Sequence, residues 1–269
     1  MKFSAVAAIS NRRSVRTFDG NNLRDSDLKA LEDFIKEPLN PFGTPVNFRI
    51  LDPEKYSLSS PVISGESLYL AAKVKREENY ELGFGYSFEH ACLYACSLGI
   101  GTVMLASTLS RDRFETAMEV KEDEILPVAS PLGYPASRMS FKERLMRQAI
   151  KADRRQPFSS ICFDGSFSTL LNEDQAGVFK EALKLAILSP SAVNKQPFRA
   201  VVDGNTVHFF EYRTLNSDER IDIQKVDMGI FLCHFDLCMK EKGNIGSFYR
   251  DEVSIETPEH VIYTISFKI

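Results

Sequence analysis

Two segments of this chain repeat each other in pattern, and this repeat restricts the fold more than any other sequence feature. Each runs from glycine to glycine with thirteen residues between: "GYSFEHACLYACSLG" in the first half and "GIFLCHFDLCMKEKG" in the second. Both end glycines and one histidine recur at a constant offset of 144 residues. The matched pairs are Gly85 and Gly229, His90 and His234, and Gly99 and Gly243. A duplicated segment predicts a duplicated element of structure.

Apolar residues recur at helical spacing within each segment, so each is predicted to be a long, mostly buried helix. A closing glycine is typical of a helix C-cap, because glycine adopts the left-handed conformation without strain. Each histidine lies among apolar neighbours, so we expect a structural role rather than metal ligation or base catalysis. The apolar positions are Phe88, Ala91, Cys92, Ala95 and Gly99 in the first segment, and Met228, Phe231, Leu232, Phe235 and Met239 in the second.

A shorter helix pattern and an extended segment precede each repeat. The helix pattern of the first half, "LRDSDLKALEDFIKE", has Asp25 placed to cap its start, and "VNFRIL" follows it through a loop rich in proline and glycine. The second half has "NEDQAGVFKEALKLAIL" followed by "FRAVVD", and the Phe-Arg pairs of the two extended segments lie 150 residues apart. The predicted apolar faces are Leu28, Leu31, Phe34 and Ile35 in the first half, and Ala176, Phe179, Leu183, Ala186 and Ile187 in the second.

Each half also closes on an extended segment. The first closes on "ILPVASPLGYP", and the second on "HVIYTISFKI", where apolar residues alternate as in a half-buried strand. Asp203, Gly204 and Asn205 predict the turn of a hairpin between two strands of the second half. The alternating residues of the final strand are Val261, Tyr263, Ile265, Phe267 and Ile269.

The order helix, strands, helix, strand therefore occurs twice. It predicts an α+β fold in which two similar halves pack about a pseudo-twofold axis, as two subunits would. We place the first half at residues 1–150 and the second at 151–269, with "KERLMRQAIKADRRQPFSS" as the join. Because each long helix needs the other to cover it, the halves are expected to form one composite domain.

Composition excludes several classes of function. The chain has 269 residues, 43% of them hydrophobic, and a formal net charge of −4, which gives no reason to expect nucleic-acid binding. Any anion site must then be a local cluster of arginines. The apolar run at the N-terminus is too short for a signal peptide, and no later run approaches the roughly 18 residues of a membrane span, so a cytoplasmic protein is expected. Cys92 and Cys96 lack partners at zinc spacing, so no metal site is predicted.

Three polar motifs are not shared by the two halves. Only the first half has "NRRSVRTF", with Arg12, Arg13 and Arg16 around Ser14, and only the first has "PLGYP" after its strand. Three guanidinium groups and a hydroxyl suit a phosphate or an anionic ring oxygen, although a solvated basic turn would look the same. Only the second half has "SPSAVNKQPF", where the first reads "EPLNPFGTP"; this loop could bind a ligand or simply cap a helix end. Each half has lost what the other keeps, which predicts one composite site between them.

These motifs resemble those of the nitroreductase family of FMN-dependent oxidoreductases. "RRSVRTF", "PSAVNKQPF", "LGIGT" and "LGYP" correspond to the arginine motif, the Pro-Ser-Asn-Gln loop, the end of a central helix and the end of a strand in that family. Family members are usually homodimers that bind FMN at the subunit interface. This chain is similar to such a dimer fused into one chain with one site retained. It departs from the family in having Phe198 where tryptophan is commoner, and in the uncharged segment "GTVMLAS".

The resemblance implies a set of cofactor-binding residues. Arg12, Arg13 and Ser14 would hold the FMN phosphate and ribityl chain, and Arg16 would reach the pyrimidine edge and stabilise the reduced flavin. Arg155, with Arg154 as the next choice, would add a basic residue at the phosphate. The remaining implied residues are Met104, Leu105 and Ala106 near flavin N5, Pro190, Ser191, Ala192 and Asn194 over the ribityl chain and ring, and Gln196, which would orient that loop.

The implied function is ping-pong oxidoreduction, in which NADH or NADPH reduces one FMN per chain and a nitroaromatic or quinone takes the electrons. No catalytic side chain is required, because the flavin carries the hydride. A fused pseudo-dimer completes its own site, so a monomer is expected. Two alternatives remain open at this point: a flavin storage or sensor protein, and a cofactor-free module, against which the retention of both parts of the site counts.

Overall fold

The computed structural model describes residues 2–215 and 221–269. The α-helices are α1 (Ala5–Asn11), α2 (Asp25–Phe34), α3 (Pro53–Tyr56), α4 (Tyr80–Ser97), α5 (Arg111–Ala117), α6 (Phe141–Ala149), α7 (Phe158–Ile161), α8 (Lys180–Ile187) and α9 (Ile223–Glu241). The strands are β1 (Val46–Leu51), β2 (Leu68–Lys75), β3 (Glu124–Ile125), β4 (Ala129–Leu132), β5 (Cys162–Asp164), β6 (Phe198–Asp203), β7 (Thr206–Tyr212), β8 (Ser247–Tyr249) and β9 (Val261–Lys268). Short 3₁₀ segments span Glu173–Gln175, Gly177–Phe179 and Ala192–Asn194. No helix in the described part of the chain is long and apolar enough to cross a membrane.

Two antiparallel arrangements of three strands repeat each other. In the first half β2 lies between β1 and β4 and pairs antiparallel with both, while β3 pairs with its far end. In the second half β7 lies between β6 and β9, again antiparallel to both, and β5 and β8 extend the sheet at its edges. The β6–β7 hairpin closes where Asp203 pairs with Thr206, with Gly204 at a φ of 55°. The predicted hairpin is therefore confirmed.

The connectivity is also the same in both halves. The first follows α2, β1, β2, α4 and β4, and the second follows α8, β6, β7, α9 and β9. Each long helix follows the central strand of its sheet, and a later strand, β4 in the first half and β9 in the second, returns to pair with that same central strand. This mixed helix and sheet architecture, with two similar halves in one chain, confirms the predicted fold class.

The long helices α4 and α9 cross at the matched glycines. A Cβ atom on Gly85 would lie 2.1 Å from the carbonyl oxygen of Val226, and one on Gly229 would lie 2.3 Å from that of Leu82. The Cα atom of each glycine is also among the nearest neighbours of such a Cβ on the other. Residues at equivalent positions thus contact each other reciprocally, as they do across a twofold axis.

The sequence placed the starts of these helices too late. α4 begins at Tyr80 and α9 at Ile223, so both matched glycines lie inside the helices rather than at their starts. The helices can pass through these positions because the neighbouring helix covers the glycine and leaves no room for a side chain. The predicted C-caps are confirmed: Gly99 and Gly243 both have a φ of 80° and follow the last helical turn.

The hydrophobic core binds the two halves together. The cluster around the second sheet includes Leu82 and Tyr86 of α4, and the cluster around the first sheet includes Val226 and Ile230 of α9. Each long helix therefore contributes side chains to the core of the other half. This exchange explains why both helices are buried on nearly all sides instead of along one stripe.

Two local predictions were wrong. Asp25 does not cap α2: it is the first helical residue, Arg24 holds the cap position, and no side chain bonds there. The acidic first turn instead acts through its favourable interaction with the helix dipole. The final strand does not alternate, because Thr264 to Phe267 are all buried and Ile269 lies beyond its end. Ser266 is tolerated inside since its hydroxyl lies 2.7 Å from Nδ1 of His208.

Candidate functional site

A cavity of about 490 Å³ lies between the two halves. This volume is in the range of pockets that bind small molecules and cofactors. Segments distant in the sequence meet here: the N-terminal arginines, the middle of α4, residues 102–108, the end of α6, the loop after α8 and the start of α9. The sequence-predicted residues that line it are Arg12, Arg13, Ser14, Arg16, Met104, Leu105, Ala106, Arg155, Pro190, Ser191, Ala192 and Asn194.

Backbone pairing holds the arginine segment against the motif glycines. Ser14 pairs with Thr102 in parallel, and the Val15 N–H donates to the Thr102 carbonyl over 2.9 Å. A Cβ on Gly101 would lie 3.0 Å from the Val15 side chain. Gly101 in turn pairs with Gly133 of "LGYP", whose missing side chain leaves room for the Phe18 ring. The motifs "RRSVRTF", "LGIGT" and "LGYP" thus form one wall.

The segment that carries Met104 is held at both ends. Leu105 pairs with Ala129 at the start of β4. Farther along, the guanidinium group of Arg111 donates to the carbonyl oxygens of Ala106 and Leu126 over 2.7 and 2.6 Å. The charge missing from "GTVMLAS" is therefore supplied from α5, and the backbone of this segment is held against the cavity.

The second wall is the loop between α8 and β6. Gln196 does not line the cavity; it is buried beneath the loop, and its N–H donates to Ser191 Oγ over 2.8 Å. Its Oε1 accepts from the N–H of Gln156, also over 2.8 Å. Asn194 Nδ2 donates to the carbonyl oxygens of Lys151 and Arg154 over 2.7 and 3.0 Å. These bonds fasten the loop to the segment that joins the two halves.

The same loop is strained. Val193, Asn194 and Gln196 have φ values of 42°, 58° and 51°, in the region that favours glycine. Both carboxylate oxygens of Asp227 accept the Ala192 N–H, at 3.1 and 3.0 Å. Burial raises the pKa of Asp227 well above its usual range, and the Ala192 bond opposes this in part. Asp227 lies in the cavity wall, where it supports a backbone conformation that the sequence alone would not favour.

The cavity is rich in guanidinium groups. Arg12, Arg13, Arg16, Arg147 and Arg155 all line it. Burial lowers the pKa of Arg16 and of Arg155, and the positive charge of Arg12 lowers that of Arg155 further. Nε and Nη1 of Arg16 and Nε of Arg155 are buried without a hydrogen-bond partner among the described residues. Crowded cations with unused donors fit an anion such as a phosphate group, so the residues present fit FMN.

Glu89 is, like Asp227, an acidic residue of the cavity wall that was not predicted from the sequence. Glu89, in the middle of α4, is 1% exposed, and its Oε1 lies 2.7 Å from Nε2 of His234 and 3.3 Å from Nε of Arg12. Its Oε2 is buried and has no partner among the described residues. Nδ1 of His234 lies 3.2 Å from the Leu185 carbonyl oxygen. The histidine thus links a carboxylate in the cavity wall to the backbone of the second half.

The remaining sequence-predicted site residue lies elsewhere. Arg154 is exposed and lines an adjoining groove on the surface instead of the cavity, so the geometry favours Arg155 over Arg154. Cys92, treated as a packing residue, lines the cavity together with Glu89, one helical turn away. Asp227 and Glu89 could have been noticed from sequence only as isolated carboxylates within apolar helix patterns.

Comparisons with known proteins give a consistent result. The family model described as "Putative TM nitroreductase" matches residues 5–239. A crystal structure described as a "putative nitroreductase" from Thermotoga maritima is similar with a TM-score of 0.65 and 19% identity, covering 100% of this chain and 94% of that one. A nitroreductase family protein from Clostridium difficile has a TM-score of 0.46 and 18% identity, over 63% of this chain and 100% of its own. An oxidoreductase containing FMN has a TM-score of 0.47 and 15% identity, over 60% and 91%. No curated protein matches the sequence.

Proposed function

This chain belongs to the nitroreductase family, and we propose that it is an FMN-dependent oxidoreductase. NADH or NADPH supplies the electrons, and an electron-poor compound such as a nitroaromatic or a quinone accepts them. The observation that carries the proposal is a cluster of arginines that lines one cavity together with the strained loop after α8; Nε and Nη1 of Arg16 and Nε of Arg155 are buried donors without a partner among the described residues.

The cofactor would be held by residues from both halves. Arg12, Arg13, Ser14 and Arg155 would bind the phosphate and ribityl end, because charge-assisted bonds to guanidinium groups are the strongest that a protein offers a phosphate. Arg16 would lie at the pyrimidine edge, where a positive charge favours the reduced ring. The backbone of Met104, Leu105 and Ala106 and the loop residues Pro190, Ser191, Ala192 and Asn194 would enclose the ring, with Gln196 supporting the loop from below.

FMN, when bound, supplies two-electron hydride transfer through N5, so a ping-pong exchange between donor and acceptor needs no side-chain nucleophile. What the chain must supply is orientation and protons. Residues of the Pro-Ser-Asn-Gln loop and residues 102–106 line the same cavity and would exclude water from it. Since the binding residues come from both halves, we propose one FMN per chain and a monomer that acts as a pseudo-dimer of residues 1–150 and 151–269.

The Glu89–His234 pair can hold a proton at the cavity wall. The Leu185 carbonyl oxygen can only accept, so Nδ1 of His234 must carry a hydrogen. The short contact between Nε2 and Glu89 Oε1 then also needs a proton, either on the ring or on the carboxyl group. Whichever atom holds it, one proton is shared between these two atoms. Reduction of an acceptor consumes protons, and we propose that this pair delivers one of them.

Anaerobic spectroscopy tests the proposal. Purified protein should be yellow, and its flavin absorbance should bleach when NADH or NADPH is added and return with an added quinone. Colourless protein that takes up no FMN would contradict FMN binding. Yellow protein that neither nucleotide reduces would instead indicate a flavin storage or sensor protein.

Affinity measurements test the residues. Arg12→Ala in the first half and Asn194→Ala in the second should each weaken FMN binding by about tenfold or more, because each removes bonds that involve a charged group or hold the loop. Lys29→Ala on the exposed face of α2 serves as the control. Unchanged FMN affinity in both test variants would remove the assignment of the site.

A further inference from the structure

One short segment of this chain carries a local excess of positive charge. Residues 138–155 contain seven basic and two acidic residues, although the whole chain has a net charge of −4. α6 and the turn after it make up most of this segment. Such a local excess of one sign attracts oppositely charged ligands, and this attraction depends on ionic strength.

Several of these cations line an open groove of about 870 Å³. Arg144, Lys151 and Arg154 belong to this groove only. Arg147, Ala152 and Asp153 line both the groove and the cavity of the candidate site. The groove therefore adjoins the cavity, and one ligand can lie in both.

The acidic residues of the segment do not neutralise the groove. Glu143 is buried and accepts the hydroxyl of Thr17 over 2.7 Å, and Asp153 pairs with Arg147. Arg144, Lys151 and Arg154 are exposed, and none forms an ion pair with a residue in the described parts of the chain. These three cations are thus available to a ligand.

Lys151 holds its position despite backbone strain. It follows the end of α6 with a φ of 50°, and the N–H groups of Lys151 and Ala152 donate to the Gln148 and Arg147 carbonyl oxygens. This is the arrangement in which glycine is the usual residue, because any side chain is strained there. The chain has a lysine at this place, and the lysine adds a cation to the groove.

We propose that this groove binds the phosphate groups of the electron donor, a reduced nicotinamide dinucleotide whose nicotinamide ring enters the cavity; this inference rests on the proposed function. Arg12, Arg13 and Arg155, which line the cavity, already provide for the FMN phosphate, so the cations of the groove serve a second anionic ligand. Phe141, 74% exposed with the Arg144 guanidinium group 5.9 Å from its ring centre, offers an aromatic face for the adenine base. NADPH is preferred to NADH, since its additional 2′-phosphate is another anion for the same cations.

Charge-changing variants and a truncated donor test this proposal. Arg144→Glu and Lys151→Gly are compared with Lys142→Glu, a cation of the same helix whose Nζ contacts the Pro61 carbonyl oxygen instead. The donors are NADPH and 1-benzyl-1,4-dihydronicotinamide, which has the reactive ring but no phosphates. Binding of 2′,5′-ADP to the FMN-loaded protein is measured by calorimetry as a readout independent of turnover.

Each test variant should raise the KM for NADPH and weaken 2′,5′-ADP binding by about fivefold, the upper end for an exposed charge pair. The rate with the phosphate-free donor should stay within twofold, and Lys142→Glu should behave as the unmodified protein does. Lys151→Gly should melt no lower than the unmodified protein, so a loss of binding there cannot be a loss of folding.

An unchanged KM for NADPH in both variants, or equal changes with both donors, would overturn the proposal. Failure of every nicotinamide donor to reduce the flavin would contradict the proposed function instead. In that case calorimetry still tests whether the groove binds the phosphate groups of the donor. Absence of 2′,5′-ADP binding, or binding that Arg144→Glu leaves unchanged, would overturn the proposal.

Discussion

The cavity and the place related to it by the internal repeat differ in what occupies them. Two helix residues that line the cavity are Ile230 and Cys92. The residues at the matched positions, 144 away in the sequence, are Tyr86 and Asp236, and these bond to each other over 2.6 Å. The ring of Phe42 packs edge-on against Tyr86 with centroids 5.8 Å apart. The scaffold is duplicated, but side chains fill one of the two places.

The loops that follow α2 and α8 also differ, because only the second has non-glycine residues in a strained backbone conformation. In the first half Asn40 Oδ1 accepts the N–H groups of Phe42 and Thr44, and the left-handed position belongs to Gly43, with a φ of 71°. In the second half Val193 takes up a left-handed conformation, as do Asn194 and Gln196. Strain of this kind persists where the surroundings enforce it, and it often marks a functional site. The relaxed loop belongs to the filled place and the strained loop to the cavity.

The largest loss of stability is expected at the matched glycines where α4 and α9 cross. Gly85→Val and Gly229→Val should each destabilise the protein by more than about 3 kcal/mol or prevent folding, because backbone atoms of the other helix leave no room. Urea unfolding measures the change, with Ser97→Ala on the exposed end of α4 as the control. If one glycine tolerated valine, the helices would not cross symmetrically.

Tyr86→Phe tests the filled place. Removal of the hydroxyl takes a hydrogen bond from the buried Asp236, which should destabilise the protein by about 1–3 kcal/mol. FMN affinity should stay within twofold, because Tyr86 does not line the cavity. A change in FMN affinity larger than the Arg12→Ala effect would mean that the filled place also contributes to cofactor binding.

Some features of this structure could be predicted from the sequence, and others depend on contacts between distant residues. Helix periodicity, the glycine caps and the hairpin turn are local signals, and they predicted both long helices, the helix before each of them, and β1, β4, β6, β7 and β9, but not β2, the central strand of the first sheet. The role of Glu89 was not predictable, because it depends on Arg12 and His234 meeting it from elsewhere in the chain. Gly85 and Gly229 were taken as the starts of the two helices, since only the packed structure reveals that a second helix crosses at each of them. Asp25 failed as a cap because the chain enters α2 one residue earlier than its pattern suggested.

A smaller, pH-dependent effect is expected from His90, one of the two matched histidines. Burial lowers the pKa of His90, whose Nδ1 bonds to the Leu39 carbonyl oxygen 3.0 Å away. A histidine with a depressed pKa in the folded state binds its proton more readily when unfolded. Its stabilising effect is thus complete above the unfolded pKa of about 6.5 and is lost as the pH falls from there towards the lower folded pKa.

Urea unfolding of His90→Gln between pH 7.5 and 5.5 measures this contribution. The unmodified protein should lose more stability over this range than the variant. His208, whose pKa burial also lowers, is present in both proteins and cancels in the difference. Equal slopes would show that His90 does not titrate differently in the folded and unfolded states.

The smallest effect concerns the strained loop. Val193→Asn should stabilise the protein by about 1 kcal/mol, because asparagine tolerates the left-handed conformation better than a β-branched residue. Thermal unfolding should show a slightly higher Tm for Val193→Asn than for the unmodified protein. Phe42→Tyr, a substitution in the relaxed loop, serves for comparison. A lower Tm for Val193→Asn would mean that the valine side chain stabilises the loop through its contacts.

The number of FMN molecules per chain tests the account most directly. Protein reconstituted with excess FMN and freed of unbound cofactor can be assayed for flavin by absorbance and for chain concentration by amino-acid analysis. One cavity and one filled place predict about one FMN per chain. Two per chain would show that the place occupied by Tyr86 and Asp236 opens to bind cofactor, and none would contradict the flavin site itself.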